Sequence, residues 1–176
     1  MGGVRPNDRM KPVLDKFKAL LGRPCWGVHH GYGRVLGLEF GDPHLEVHEP
    51  RASRARSKRV RELSRRRHVF VKGTWSLWTW DCDWFVRDRT QGIGDSGSER
   101  RAALAAKYLN GQKLESVSIT RARTVFNFDL GGRLETRPRD LKGELWHLHC
   151  PDHFYLLFFA DGTYQYLHGS ESHAHS

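Results

Sequence analysis

The chain has 176 residues, a formal net charge of +9 at pH 7 and 38% hydrophobic residues, with six Trp, nine Phe and five Tyr. This composition predicts one globular domain and excludes general disorder, and no apolar run approaches the ~20 residues that span a bilayer. The N-terminus MGGVRPNDRMKPV lacks the apolar middle of a signal peptide. The three cysteines are odd in number and widely spaced, which favours reduced thiols. We therefore expect a cytoplasmic protein without membrane contact.

The first predicted element is a helix with Pro12 in its first turn and Gly22 at its end. Its apolar side chains recur at helical spacing and are Val13, Leu14, Phe17, Leu20 and Leu21. A helix of this kind buries its apolar stripe against a sheet or another helix.

Alternating sequence predicts antiparallel strands in both halves of the chain. Apolar residues occupy every second position from Leu36 to Phe40 and again from Phe126 to Leu130. A period of two indicates a strand with one buried face. Turn signals separate the strands, and YLLFFADGTYQYL is typical of a hairpin with Asp161-Gly162 at its tip. We expect an α+β protein of mostly antiparallel β sheet, as a sandwich or an open barrel.

A second helix is predicted after residues 89–98, RTQGIGDSGS, which are typical of a flexible connection. Ser98 can cap the run ERRAALAAKYLN, and Gly111 can end it. Leu104, Tyr108 and Leu109 are expected to face inward.

The two halves resemble each other at an offset of 88 to 90 residues. The matched pairs include Gly22 and Gly111, Cys25 and Leu114, Gly41 and Gly131, Leu45 and Leu134, Pro50 and Pro138, and Trp75 and Trp146. We predict two helix-plus-meander halves, residues 1–88 and 99–168, joined by the connection at 89–98 and followed by a flexible tail at 169–176. The alternative is two ordinary meanders with similar turns.

The segment from Arg51 to His68 holds nine Arg or Lys residues and one Glu, so it carries almost the whole net charge. The halves match on both sides of it, which predicts an insertion in a loop between two strands. Its candidate polyanion-binding residues are Arg54, Arg56, Lys58, Arg59, Arg61, Arg65, Arg66 and Arg67. Arginine forks pair well with phosphate, but the segment has no aromatic residue to stack on a base. A solvated loop without a ligand and a loop that contacts an acidic protein are the alternatives.

The stretch TWSLWTWDCDWF, from Thr74 to Phe85, holds four tryptophans. If it is one unbroken strand, Trp78, Trp80 and Trp84 share a face. These three residues are the candidate partner-binding patch, and burial in the core is the alternative. Cys82 lies between two aspartates, which disfavours a thiolate nucleophile.

The string WHLHCPDHF combines residue types that ligate zinc. The candidate ligands are His147, His149, Cys150, Asp152 and His153. Because Trp146 and Leu148 are expected to face the core, both strand histidines are expected to be exposed. The alternative is an exposed pair of histidines on a strand that binds no metal. We expect no cofactor.

The segments GRPCWGV, LEFGDPHLEVHEPR, WSLWTWDCDW and LNGQKLESVSI together resemble small uncharacterised bacterial β-rich proteins with no assigned activity. The resemblance covers residues 10–166. It implies a bacterial protein and carries over no functional residue.

We find no P-loop, no dinucleotide-binding glycine motif and no nucleophile elbow in the sequence. We therefore expect a non-enzymatic binding or regulatory protein with a protein partner or self-association, of the immunity-factor kind by fold analogy. One alternative is a nucleic-acid-binding accessory protein that uses residues 51–68. Another is a metal-dependent hydrolase at His147 to His153.

Overall fold

The computed structural model describes residues 6–31, 34–121 and 123–169. The helices are α1 (Pro6–Phe17), α2 (Lys58–Ser64) and α3 (Glu99–Leu109), with short 3-10 turns at Lys18–Leu20 and Pro151–His153. The strands of the first half are β1 (Cys25–His30), β2 (Leu36–Phe40), β3 (His44–His48), β4 (His68–Lys72), β5 (Trp75–Thr79), β6 (Cys82–Arg87) and β7 (Gly92–Asp95). Those of the second half are β8 (Leu114–Thr120), β9 (Arg123–Phe128), β10 (Arg133–Pro138), β11 (Glu144–Cys150), β12 (Phe154–Phe159) and β13 (Tyr164–His168). None of the helices in these ranges is long and apolar enough to cross a membrane.

The strands form two large antiparallel sheets and one separate hairpin. One sheet has six strands in the order β1-β2-β5-β11-β12-β13, and the other has five in the order β7-β6-β10-β9-β8. Strands β3 and β4 pair with each other as a two-stranded sheet. The predicted α+β class with mostly antiparallel strands is confirmed.

Aromatic side chains from α1 and both sheets meet in one hydrophobic core. The ring of Phe17 lies 5.6 Å from that of Phe126 on β9 and 5.4 Å from that of Trp146 on β11. Trp146 also stacks on Phe158 and donates its indole N–H to the Thr124 hydroxyl at 2.9 Å. The first helix therefore lies where the two sheets share a core.

Helix α1 starts at Pro6, so the prediction that Pro12 lies in its first turn is wrong. Pro12 lies inside the helix, where it has no N–H to donate to the preceding turn. The apolar stripe is confirmed at Val13, Phe17 and Leu20, which are buried, whereas Leu21 is exposed.

Helix α3 buries mainly small side chains, and of the residues predicted to face inward Leu109 is buried and Tyr108 is partly buried. Ser98 caps it as predicted, because its hydroxyl accepts the Arg101 N–H at 3.4 Å. The inward residues include Ala102, Ala105, Ala106 and Leu109, whereas Leu104 is 49% exposed. The reason is close approach to β7, where a Cβ on Gly94 would lie 2.1 Å from the Arg101 carbonyl oxygen.

Two further segments differ from the sequence interpretation. Residues 89–98 contain β7, which pairs with β6 at the end of the five-stranded sheet. Leu130 does not continue the alternation of β9, because the chain turns at Gly131 with φ 91° and leaves Leu130 72% exposed.

We expect Trp146→Ala to lower the free energy of unfolding by about 3–5 kcal/mol, because it removes the ring shared by both sheets. Denaturant unfolding followed by circular dichroism measures the change. Leu141→Ala is the control, because Leu141 is 80% exposed and its loss should cost within about 0.5 kcal/mol. Equal stabilities of the two variants would contradict the shared core.

Candidate binding surfaces

The hairpin of β3 and β4, with the segment that joins its strands, forms a separate arm of residues 44–72. Its strands pair antiparallel in register from His44 opposite Lys72 to His48 opposite His68. Residues directly opposite each other in such a ladder share a face. The register therefore gives the arm one apolar face and one polar face.

The apolar face of the arm consists of Leu45, Val47, Val69 and Val71, which are 48% to 68% exposed. Leu45 pairs with Val71, and Val47 pairs with Val69. No residue of β3 or β4 is buried.

The polar face of the arm consists of His44, Glu46, His48, His68, Phe70 and Lys72. Most of these residues line two cavities of about 480 and 570 Å³ against the outer face of the six-stranded sheet. His149 lines both cavities. A cleft therefore separates the arm from the sheet.

A buried carboxylate holds the base of the arm against this sheet. Glu39 on β2 is 2% exposed and accepts the Gly73 N–H at 2.9 Å and the Ser76 hydroxyl. Lys72 places its Nζ 3.5 Å from Glu39 Oε1 and 4.5 Å from the centroid of the Trp78 ring. Because a buried charge is costly unless it is paired, this cluster fixes where the arm leaves the sheet.

The Arg-rich segment, residues 51–68, connects the two strands of the arm. Its helix α2 is capped by Ser57 and has no buried residue. Two arginines stabilise the segment itself: Arg61 donates to the carbonyls of Ala55 and Arg56 at 2.8 and 2.7 Å, and Arg67 pairs with Glu49 at 2.9 Å. Lys58 lies 3.8 Å from Glu62, an exposed pair of little energetic weight.

Apart from Arg61, whose guanidinium donates to backbone carbonyls, six cations of the Arg-rich segment have no ion pair with a carboxylate in the described part of the chain. They are Arg51, Arg54, Arg56, Arg59, Arg65 and Arg66. All six are exposed. The segment therefore presents a dense positive charge that the rest of the described protein does not neutralise.

The three candidate partner-binding tryptophans do not form one patch, so that prediction is wrong. The chain bends at Trp80 and Asp81 and passes from β5 of one sheet to β6 of the other. Trp84 is fully buried and donates to the Arg34 carbonyl at 2.6 Å, whereas Trp80 is 49% exposed. Trp78 lies in the cleft beneath the arm. The alternation that would align the three side chains stops at the bend.

The candidate metal ligands do not form a metal-binding group, although four of them, His149, Cys150, Asp152 and His153, line the smaller of the two cavities beside the arm. His147 and His149 lie on the outer face of β11 with their rings stacked at 4.9 Å, and they are partly buried, so the expected exposure is wrong. Cys150, one position farther along the strand, packs against the core. Asp152 and His153 lie in the exposed turn that follows. Within the described residues, no three His, Cys, Asp or Glu side chains form a metal-binding group.

Burial favours the uncharged form of three titratable groups among these candidates. Burial raises the pKa of Cys82 to about 12, with a smaller contribution from the flanking aspartates, and that of Cys150 to about 11. Burial lowers the pKa of His149 to about 3, helped by His147 and Lys72. At neutral pH Cys82 and Cys150 are therefore thiols, and His149 is a neutral imidazole.

The pairing of Glu39 with Lys72 and the cleft were missed by sequence reasoning. Glu39 occupies an outward position of a predicted strand, where a carboxylate is ordinarily solvated. Its burial depends on contacts with Lys72, at the end of the arm, and with Gly73, which lie 33 and 34 residues later in the chain. No local signal in the sequence indicates this contact.

No protein-family model, curated protein or solved structure matches this chain. The resemblance to bacterial β-rich proteins stays a prediction.

We expect stability to fall as the pH drops below about 6.5, because unfolded His149 takes up a proton that the folded side chain accepts only near pH 3. The contribution is fully present above pH 6.5 and is lost at up to about 1.4 kcal/mol per pH unit below it. His149→Gln should flatten this part of the profile, whereas His30→Gln, at an exposed histidine, should leave it unchanged. Urea unfolding from about pH 7 to pH 5 measures the difference. Parallel profiles for wild type and His149→Gln would refute the depressed pKa.

Proposed function

We propose that this protein is a non-enzymatic binding protein that holds the phosphate backbone of nucleic acid through the Arg-rich segment of its arm. The observation that carries the proposal is the set of six exposed cations without a described ion-pair partner. The segment has nine cations and one Glu, a net charge of +8 out of +9 for the whole chain. The charge is therefore concentrated on one projecting element.

The chemistry of the segment fits phosphate well. Eight of its nine cations are arginines, whose planar guanidinium groups form paired hydrogen bonds to phosphate oxygens. If all six unpaired cations contact phosphates of duplex DNA, the logarithm of the binding constant falls against that of the salt concentration with a slope of about −5.

The arm is expected to bind with little sequence preference. Phosphate contacts position a protein on nucleic acid, whereas contacts with base edges or stacked bases read the sequence. No aromatic residue occurs between Arg51 and Arg67, and the nearest one, Phe70, lies on the polar face of the arm. The proposed contact is therefore sensitive to salt and open to any nucleic acid, whatever its sequence.

A protein partner is the second candidate function, favoured by the exposed apolar face at Leu45, Val47, Val69 and Val71. An apolar strip beside a cationic segment suits an acidic protein with an apolar edge. The immunity-factor function suggested by fold analogy has no observation of its own in its support.

Replacing Arg51, Arg54, Arg56, Arg59, Arg65 and Arg66 by Gln should weaken binding to duplex DNA and RNA and remove most of the salt dependence. Each lost phosphate contact should reduce the salt slope by about 0.9. Fluorescence anisotropy with labelled oligonucleotides at several salt concentrations measures both quantities.

A second variant with the same net charge distinguishes binding through the arm from binding through overall charge. Replacing Lys11, Arg100, Lys107, Lys113, Arg121 and Lys142 by Gln removes the same charge from exposed positions elsewhere. The proposal expects this variant to bind almost as wild type does. Equal losses in the two variants would show that binding follows overall charge, and intact binding in the arm variant would refute the proposal.

We also propose that the fold consists of two related halves, supported by the pairing of the strands. Helix α1 precedes the antiparallel run β1-β2-β5, and α3 precedes β8-β9-β10. Cys25 pairs with Phe40 as Leu114 pairs with Phe128. The strand that follows the first run, β6, pairs with β10 in the five-stranded sheet. The strand that follows the second run, β11, pairs with β5 in the six-stranded sheet. Each run is therefore continued in the other sheet, beside the third strand of the other run.

This pairing makes β5 the counterpart of β10, so the sequence matches of Leu45 with Leu134 and of Trp75 with Trp146 do not hold in it. The inserted element then comprises the whole arm and not the Arg-rich segment alone. Strands β2 and β5 are joined by residues 41–74, whereas β9 and β10 are joined by residues 129–132. An experimental structure in which residues 25–40 and 114–128 have dissimilar backbones would refute the duplication.

A further inference from the structure

A cluster of arginines covers the outer face of the five-stranded sheet, on elements separate from the arm. Glu135 lies in the middle of β10, and Arg133 and Arg137 lie two positions away on the same strand and face. Arg123 on the neighbouring strand β9 also reaches this carboxylate. Alternation explains the arrangement, because Leu134 and Thr136 between them face the core and are buried.

The carboxylate at the centre is already engaged. Glu135 is 6% exposed and lies 2.5 Å from both Arg123 Nη2 and Arg137 Nε. Burial alone would raise the pKa of Glu135, but Arg123 and Arg137 hold it below its usual range. Arg133 lies farther away, at 3.7 Å.

Two more arginines line the same depression, which has a volume of about 350 Å³. Arg87 and Arg89 are exposed and form no ion pair with a carboxylate of the described residues. The other acid at this site, Asp88, accepts the N–H groups of Thr90 and Gln91 at 2.7 Å each. Five guanidinium groups therefore surround two carboxylates that are both engaged.

The register of the sheet places like charges against each other at this site. Arg133 on β10 is directly opposite Arg87 on β6. Like charges at directly opposed positions destabilise a sheet, and an anion between them would relieve the repulsion. The Arg137 guanidinium is held over the Phe85 ring at 5.3 Å, which orients a third arginine on this face.

We propose that this depression binds the phosphate group of a small phosphomonoester. Such a group carries close to two negative charges near pH 7 and three acceptor oxygens, which match the surplus of guanidinium donors. The depression, with a volume of about 350 Å³, has the size of a small-ligand site. This site is independent of the arm and of its proposed ligand.

The test is a calorimetric titration of the full chain with inorganic phosphate, against sodium chloride at equal ionic strength. Phosphate binding should be saturable, and Arg87→Gln/Arg89→Gln should weaken it by about tenfold or more, the factor expected for a lost charge-assisted hydrogen bond. Arg100→Gln/Lys107→Gln, which removes the same two charges from exposed positions on α3, should leave it unchanged. A nucleoside 5′-monophosphate should bind, whereas the nucleoside itself should not.

Further variants keep the result unambiguous. Arg87→Gln and Arg89→Gln are also made singly, and circular dichroism confirms that each variant is folded. The arm variant with six replaced arginines should retain phosphate binding, since none of those residues lines the depression. Loss of phosphate binding in the arm variant with retention in Arg87→Gln/Arg89→Gln would overturn the proposal, as would heats no larger than those of chloride.

Discussion

The meeting of Phe17, Phe126 and Trp146 at ring separations of 5.4 to 6.1 Å joins the first helix to both large sheets. Edge-to-face packing of such rings adds about 0.5–1.5 kcal/mol per pair to the burial of their large apolar surface. Each sheet alone would expose one apolar face to water. Their outer faces are free to carry charged residues because this shared core buries the inner ones.

The outer faces use charge in opposite ways. On the six-stranded sheet, one buried carboxylate, Glu39, is matched by Lys72 and by hydrogen bonds from Gly73 and Ser76. On the five-stranded sheet, Glu135 is outnumbered by arginines. The first arrangement stabilises the base of the arm, whereas the second leaves donors without acceptors, which is the condition under which an anionic ligand is recognised.

The arm has two kinds of surface, one on its paired strands and one on the Arg-rich segment that connects them. Its strands are regular enough to present an apolar and a polar face, whereas the connection between them has no buried residue in its helix. A segment with few buried contacts adds little to the stability of the fold. The Arg-rich segment can therefore vary in sequence without disturbing the sheets.

The sequence alone determined the α+β class, the apolar stripe of α1, the Ser98 cap and the position of the Arg-rich segment between two strands. These features depend on spacing or composition within a few residues, which local sequence records. Only the tertiary structure decided that Trp84 is buried while Trp80 is exposed, that Cys150 packs against the core, and that Glu39 meets Lys72. Each depends on a bend, a strand alternation or a contact between distant segments, and the energy of such contacts comes from neighbours that the local sequence does not specify.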